Sequence, residues 1–358
     1  MYIPSAILST ENLQHNIRVI RKTASNSRIM AMLKANAYGH GIRSTAIRLD
    51  NLVDYIGVAR IDEALALRKV GVKTPICIMQ GVYDQDDVIT ASCNNFELVV
   101  HHISQLSYLN VITPKKVNIW LKVDTGIGRL GFHVNEVMSV FQALQQLPSV
   151  GIITLTSHFA CADQKDHFLN NVQINKFEKL AKDFPGPKSF ANSAAIFNFP
   201  QTHYDVVRPG LAIYGVSPIS NIPASKLNLK PVMTLLAKIM SIRKMPSNST
   251  IGYGTRFTSN TEIIVATVAA GYGDGYPRTA IDGTPVLVHG IECPIIGRIS
   301  MDMMTIDITK CNNIQCGDLV TLLGSNLPVE RVSTFTINTP YDVLTSIQLR
   351  VKFHWVEL

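Results

Sequence analysis

From residue 28 to residue 214 the chain repeats one unit: a short apolar run, then a stretch with helical spacing. The apolar runs fall at 28–33, 55–59, 75–79, 96–100, 118–124, 152–157, 188–191 and 206–207, the last joined to 211–214. Strand and helix alternating eight times predicts a parallel (β/α)8 barrel of the TIM type. The helical stretches carry their own signals. In 9–24, Ser9 or Thr10 can cap, Glu11 lies in the first turn, and Leu13, Ile17 and Ile20 share a face. Asp62 is expected to cap the helix that runs towards Gly71.

The grammar changes near residue 228. Residues 217–226 are rich in Pro and Ser and read as a linker. Strand patterns then dominate, at 232–242, 262–270, 285–289, 293–307 and 318–323, with Asp282-Gly283, His289-Gly290 and Cys316-Gly317 as turns. The expected fold is α/β: a barrel domain over 1–228, then a mainly β domain over 229–358. With 46% apolar and 16% charged residues, the chain can bury a core in both parts.

Several function classes are disfavoured. The net charge is +7, but the basic residues are dispersed and form no stripe with aromatics, so no nucleic-acid partner is expected. No apolar run is long enough to cross a membrane, and the N-terminus lacks the basic region of a signal peptide. The six cysteines form no CxxC pair and do not cluster with His, so they read as free thiols in a reducing cytoplasm. The adjacent His101 and His102 would point to opposite faces of a strand, and no metal site is expected.

Polar residues sit where the barrel strands end: Lys34, Lys122 with Asp124, His158, Asn192 with Ser193, and Arg208. In a barrel of this kind those ends form the mouth of the active site. Lys34 at a buried strand tip either snorkels to water or is desolvated, which lowers its pKa and frees the amine to act as a base or to condense with a carbonyl. Arg208-Pro-Gly210 offers bare backbone to an anion and, with Ser193, makes a candidate phosphate cradle, although such a tripeptide is also an ordinary turn. Arg129, in the loop after 118–124, can hold a carboxylate with both arms of its fork. Lys122 shares a strand face with Trp120 and Asp124. In the second domain, Gly252-Tyr-Gly254 and Gly271-Tyr-Gly-Asp-Gly-Tyr276 hold tyrosines on glycine-flanked backbone, and Met301-Asp302 follows the strand ending near Ile299.

Taken together these segments resemble the alanine racemase family of fold-type III pyridoxal-phosphate enzymes. The resemblance rests on Lys34-Ala-Asn-Ala-Tyr-Gly-His-Gly41, Val123-Asp-Thr-Gly-Ile-Gly-Arg-Leu-Gly131, Ser157-His-Phe-Ala160, Ala191-Asn-Ser-Ala-Ala195, Arg208-Pro-Gly210, Gly271 to Tyr276, and Ser300-Met-Asp302. It implies interconversion of L-alanine and D-alanine, with Lys34 carrying pyridoxal 5'-phosphate and Tyr253 as the opposed acid/base. It further implies a phosphate cradle of Tyr38, Ser193, Gly210, Leu211 and Tyr341, with Asn192 and His158 beside the cofactor and Arg208 at its pyridine nitrogen. Arg129 and the Met301 backbone would take the substrate carboxylate, Tyr272 would stand at the entrance, and Lys122 matches a lysine often carbamylated. A head-to-tail homodimer with shared sites is implied as well. The chain departs from the family pattern at Ile127, where Met is common, at Tyr341-Asp342, where Tyr-Glu is common, and at Leu349-Arg-Val-Lys352, which lacks a Pro-Arg ending. Two rivals remain: a serine or broad-specificity racemase of the same fold, and a non-catalytic pyridoxal-phosphate carrier. The carrier lacks a β domain, so residues 229–358 count against it. Fold-type III decarboxylases use a cysteine in a C-terminal motif not found here.

Overall fold

The computed structural model describes residues 2–357. The chain begins with β1 (Ser5–Ser9) and a helix, Thr10–Thr23, capped by the Ser9 hydroxyl, which accepts from the Asn12 backbone N–H at 3.1 Å. Eight strands follow: β2 (Arg28–Met32), β3 (Tyr55–Val58), β4 (Ile76–Ile78), β5 (Phe96–Val100), β6 (Val117–Lys122), β7 (Val150–Thr156), β8 (Lys188–Ser189) and β9 (Val206–Val207). All pair in parallel, in the order β8-β7-β6-β5-β4-β3-β2-β9. A parallel bridge between Asn192 and Arg208 brings the two ends of the sheet together, so the barrel is nearly closed. Its strands are buried on both faces, which is why they read as unbroken apolar runs rather than alternating ones.

The second half folds as expected into a mainly β unit: β10 (Met233–Met245), the short hairpin β11 (Thr250–Ile251) and β12 (Phe257–Thr258), β13 (Ile263–Val268), β14 (Pro285–Val288), β15 (Ile291–Pro294), β16 (Met304–Asp307), β17 (Leu319–Leu323) and β18 (Lys352–Val356). Its main sheet runs β15-β14-β17-β10-β1-β18, with β13 on β10 and β16 on β13.

Four expectations need correction. The first residues were expected within a barrel unit of 1–228, yet β1 pairs antiparallel with β10 and parallel with β18. The chain starts in the second sheet and only then enters the barrel. The 211–214 run is a 3-10 turn behind β9 rather than strand, because the left-handed Gly215 ends it against the Lys230 carbonyl. The expected strand 293–307 is two strands separated by a loop over 295–303, which breaks at Gly297 (φ +74°). The helix near Asp62 spans Ile61–Lys69, and its Glu63 carboxylate, not Asp62, accepts from the Ala59 backbone N–H at 2.7 Å.

Candidate active site

The strand ends open into a cavity of about 860 Å³. Lys34, Lys122, His158, Asn192 with Ser193, and Arg208 with Gly210 and Leu211 all line it, together with Arg129 and Tyr38 from the following loops and Tyr341 from the helix Pro340–Thr345 of the second unit. Six of the seven strand-end residues read from the sequence converge on the cavity; Asp124 does not line it, its carboxylate instead accepting from the Gly126 and Ile127 N–H groups at 2.8 and 2.9 Å. His101 and His102 part company: one ring bonds the Gln80 carbonyl, the other the Ser104 hydroxyl.

Lys34 sits at the head of a turn the sequence did not announce. Ala35, Asn36, Ala37 and Tyr38 all adopt left-handed backbone, with φ of 53°, 55°, 55° and 50°. Gly39 follows at φ +78°, pressed so close to the Leu344 carbonyl that no side chain fits. The turn is held from outside. The Glu63 carboxylate accepts from the Ala35 N–H at 2.9 Å, and the Asn36 side chain accepts from the Ile42 N–H at 2.9 Å. Ala and Asn there look like helix formers, and only the glycines at 39 and 41 hint at left-handed backbone.

The electrostatics of the cavity are one-sided. Burial lowers the pKa of Lys34, and Arg129 lowers it further; Glu63 opposes this and Arg208 adds to it. Lys122, 8% exposed, is pushed down to about 8, first by burial and then by Arg129, Arg208 and Lys34. His158 falls well below its ordinary range through burial and the Arg208 charge, so it is a neutral ring. Arg208 is 4% exposed, and burial draws it down to about 10, still a cation near neutrality. Its guanidinium donates to the Ser189 hydroxyl at 2.6 Å and to the Ser157 and Phe190 carbonyls. The serines at 157 and 189 that fix it fell outside the site predicted from sequence; only their place at strand ends marks them.

A phosphate-bearing group with a carbonyl matches these donors. Lys34, Lys122, Arg129 and Arg208 share the cavity, and the two guanidinium charges lower the pKa of both lysines, so an anion there relieves the repulsion. The Tyr38 hydroxyl packs on Gly210, where an added Cβ would lie 2.5 Å from its oxygen. The Ser193 hydroxyl accepts from the Gly210 and Ala212 N–H groups at 2.7 and 3.3 Å. Asn192 caps the short helix behind Ser193, accepting from the Ala195 N–H at 3.0 Å. Tyr214, also missed from sequence, lies tilted against Tyr38 with ring centres 5.1 Å apart and donates to the Met32 carbonyl at 3.0 Å.

Tyr253, Tyr272 and Met301 do not line the cavity; they gather in the second unit. The loop between β15 and β16 joins them. Tyr272 N–H donates to the Ser300 carbonyl at 3.1 Å and Gly273 N–H to the Met301 carbonyl at 2.7 Å. Gly252, before Tyr253, packs on the Arg298 backbone so closely that a Cβ would come within 2.9 Å. Tyr253 is 72% exposed.

Fold and site together define a class: parallel α/β-barrel enzymes with an appended β domain and a lysine in the barrel mouth. The family model described as "Alanine racemase, N-terminal domain" matches residues 8–218, and that described as "Alanine racemase, C-terminal domain" matches residues 232–355. The alanine racemase of Legionella pneumophila (strain Paris) is 43% identical over 98% of this chain and 97% of its own length. That of Haemophilus influenzae is 39% identical over 99% and 98%. The structure of the biosynthetic alanine racemase from Pseudomonas aeruginosa superposes with a TM-score of 0.96 at 34% identity, covering 99% of this chain and 100% of that one. The Bartonella henselae enzyme, solved with covalently bound pyridoxal phosphate, gives 0.90 at 29% identity, with 99% and 100% coverage. The chain belongs to the alanine racemase family, and it is an isomerase acting on the enantiomers of alanine.

Proposed function

We propose that this enzyme racemises alanine with pyridoxal 5'-phosphate bound to Lys34, using Lys34 and Tyr253 as opposed bases in a homodimer with shared sites. The observation that carries the reading is the lowered pKa of Lys34 within the cation-lined cavity. When bound, the cofactor supplies an electron sink for charge developing at the substrate α-carbon. Tyr38, Ser193, Gly210, Leu211 and Tyr341 hold its phosphate, with Asn192 and the neutral His158 alongside. Arg208, which lines the same cavity, would lie at the pyridine nitrogen. A guanidinium donates and does not accept, so it keeps that nitrogen without a proton and limits competing reactions. Arg129 grips the substrate carboxylate with the Met301 N–H, and Tyr272 stands at the entrance. Lys34 takes or returns the α-proton on one face, and Tyr253 serves the other.

The exposure of Tyr253 away from its own chain's cavity supports service to a neighbouring subunit. On this reading the barrel, with Tyr341 from the second unit, binds the cofactor, and the β unit brings the second base. The physiological task is supply of D-alanine for peptidoglycan, or alanine catabolism, in the cytoplasm. Circular-dichroism assays of alanine, serine and lysine test the reading: alanine should turn over fastest, while faster serine turnover would favour the broad-specificity alternative. No turnover of any amino acid would leave only the carrier.

Two further expectations concern the cradle and Lys122. Gly210→Ala forces the Tyr38 hydroxyl away, because its Cβ would sit 2.5 Å from that oxygen. Loss of one hydrogen bond to a charged group, about 1.5–3 kcal/mol, should weaken cofactor binding by about 10- to 100-fold. Fluorescence titration of the apoenzyme reads this, and unchanged affinity would remove Tyr38 from the cradle. Lys122, with its pKa drawn down to about 8, reaches the neutral amine that carbamylation requires at lower pH than an ordinary lysine does. A carbamate there would give Arg129 an anionic partner. In ¹³C-bicarbonate a carbamate resonance should be present in wild type and absent in Lys122→Ala. It should shrink as pH falls below about 8 and the amine protonates.

A further inference from the structure

The loop that underlies Tyr253, Tyr272 and Met301 is flanked by two cysteines that the reaction does not use. Cys293 lies on β15, opposite Val286 of β14, and is 1% exposed. Cys311 lies in the turn after β16, 9% exposed, its N–H donating to the Ile308 carbonyl at 2.9 Å. Their sulfurs are 3.2 Å apart. Closing that gap to a covalent bond requires an approach of about 1.2 Å. The four other cysteines have no such neighbour among the described residues: Cys93 and Cys316 are exposed, Cys161 is half-buried and Cys77 is buried.

We propose that Cys293 and Cys311 form a thiol–disulfide site whose oxidation by a small-molecule disulfide closes residues 294–310 into a covalent loop. The Cys311 thiolate attacks the small disulfide, forming a mixed disulfide and releasing one small thiol. The Cys293 thiolate then attacks Cys311 Sγ and expels the second small thiol. The pair loses two electrons, the small disulfide gains them, and the two protein protons end on the released thiols. The reaction is slow, because burial and the hydrogen bond to Cys311 push the Cys293 thiol up to about 12 and little thiolate is present. The site therefore records sustained oxidising conditions rather than brief ones.

The consequence falls on the active site. The closed segment contains Arg298, which backs the Tyr253 turn, and Ser300 and Met301, which back the Tyr272 turn. Fastening its two ends narrows the positions the segment can sample. This last step rests on the proposed roles of Tyr253 and Met301; the disulfide itself does not.

The test uses the holoenzyme, incubated with oxidised glutathione, alkylated and digested without reductant. Mass spectrometry should find a Cys293–Cys311 linked peptide that disappears on reduction and never forms in Cys311→Ser or Cys311→Ala. Deuterium uptake across 295–303 should slow and Tm should rise, both reverting with reductant on the wild-type protein. Recovery of Cys293 and Cys311 as alkylated thiols, in a sample where Cys93 and Cys316 are oxidised, overturns the site. A linked peptide with unchanged uptake across 295–303 overturns the loop constraint. Neither readout depends on racemisation, so failure of the functional reading is seen separately.

Discussion

Lys34→Ala should abolish racemisation and, with it, the visible absorption of the purified protein. The amine is at once the cofactor's attachment and one of two proton carriers. Removing proton transfer alone costs about 10²- to 10⁴-fold, and loss of the attachment adds to it. The environment shows why arginine or a surface lysine would not serve. Burial and the neighbouring guanidinium of Arg129 lower the pKa of Lys34, which favours the neutral amine the attachment needs. Absorption and turnover should vanish together. A variant that keeps its visible band would move the attachment to another lysine, and Lys122 also lines the cavity.

The second large effect is expected for Tyr253→Phe. The fold is unperturbed, since the ring is exposed and its hydroxyl is not part of the core. Racemisation should fall by about 10²- to 10⁴-fold, while exchange of the α-hydrogen with solvent deuterium persists for one enantiomer, handled by Lys34 alone. Loss of exchange for both enantiomers would mean that Tyr253 does more than carry a proton. The same pair of variants tests the sharing of sites. Mixing inactive Lys34→Ala with inactive Tyr253→Phe chains, unfolding and refolding them together, should restore roughly a quarter of wild-type activity. Half the dimers are then mixed, and each has one site with both bases. No recovery would place Tyr253 in its own chain's site.

How much of this was legible in the sequence depends on the range of the interaction concerned. The barrel strands announced themselves because strands buried on both faces must be apolar throughout, and the mouth residues because a polar group at the end of such a run has few other uses. β1 was not legible. Ser5–Ser9 alternates like any half-buried strand, and its partners β10 and β18 lie far along the chain, where no local pattern reaches. The loop over 295–303 was hidden for a different reason: Ile295, Ile296 and Ile299 are buried, so apolar content mimics a strand while Gly297 turns the backbone. Arg208 was found, but Ser157 and Ser189 that hold it were not singled out, because serines near strand ends are common and only the third dimension shows which of them meet.

The left-handed turn after Lys34 also bears on when the site comes into being. Each left-handed non-glycine residue costs roughly 1–2 kcal/mol relative to ordinary helical backbone, and four stand in a row from Ala35 to Tyr38. Such backbone persists only where its surroundings leave no alternative. Part of that enclosure is Leu344, whose carbonyl packs on Gly39, and Leu344 lies in the helix Pro340–Thr345 near the far end of the chain. On the ribosome the barrel strands are complete long before that helix has been made. The enclosure of the lysine's turn is thus complete only once that last helix has docked on Gly39.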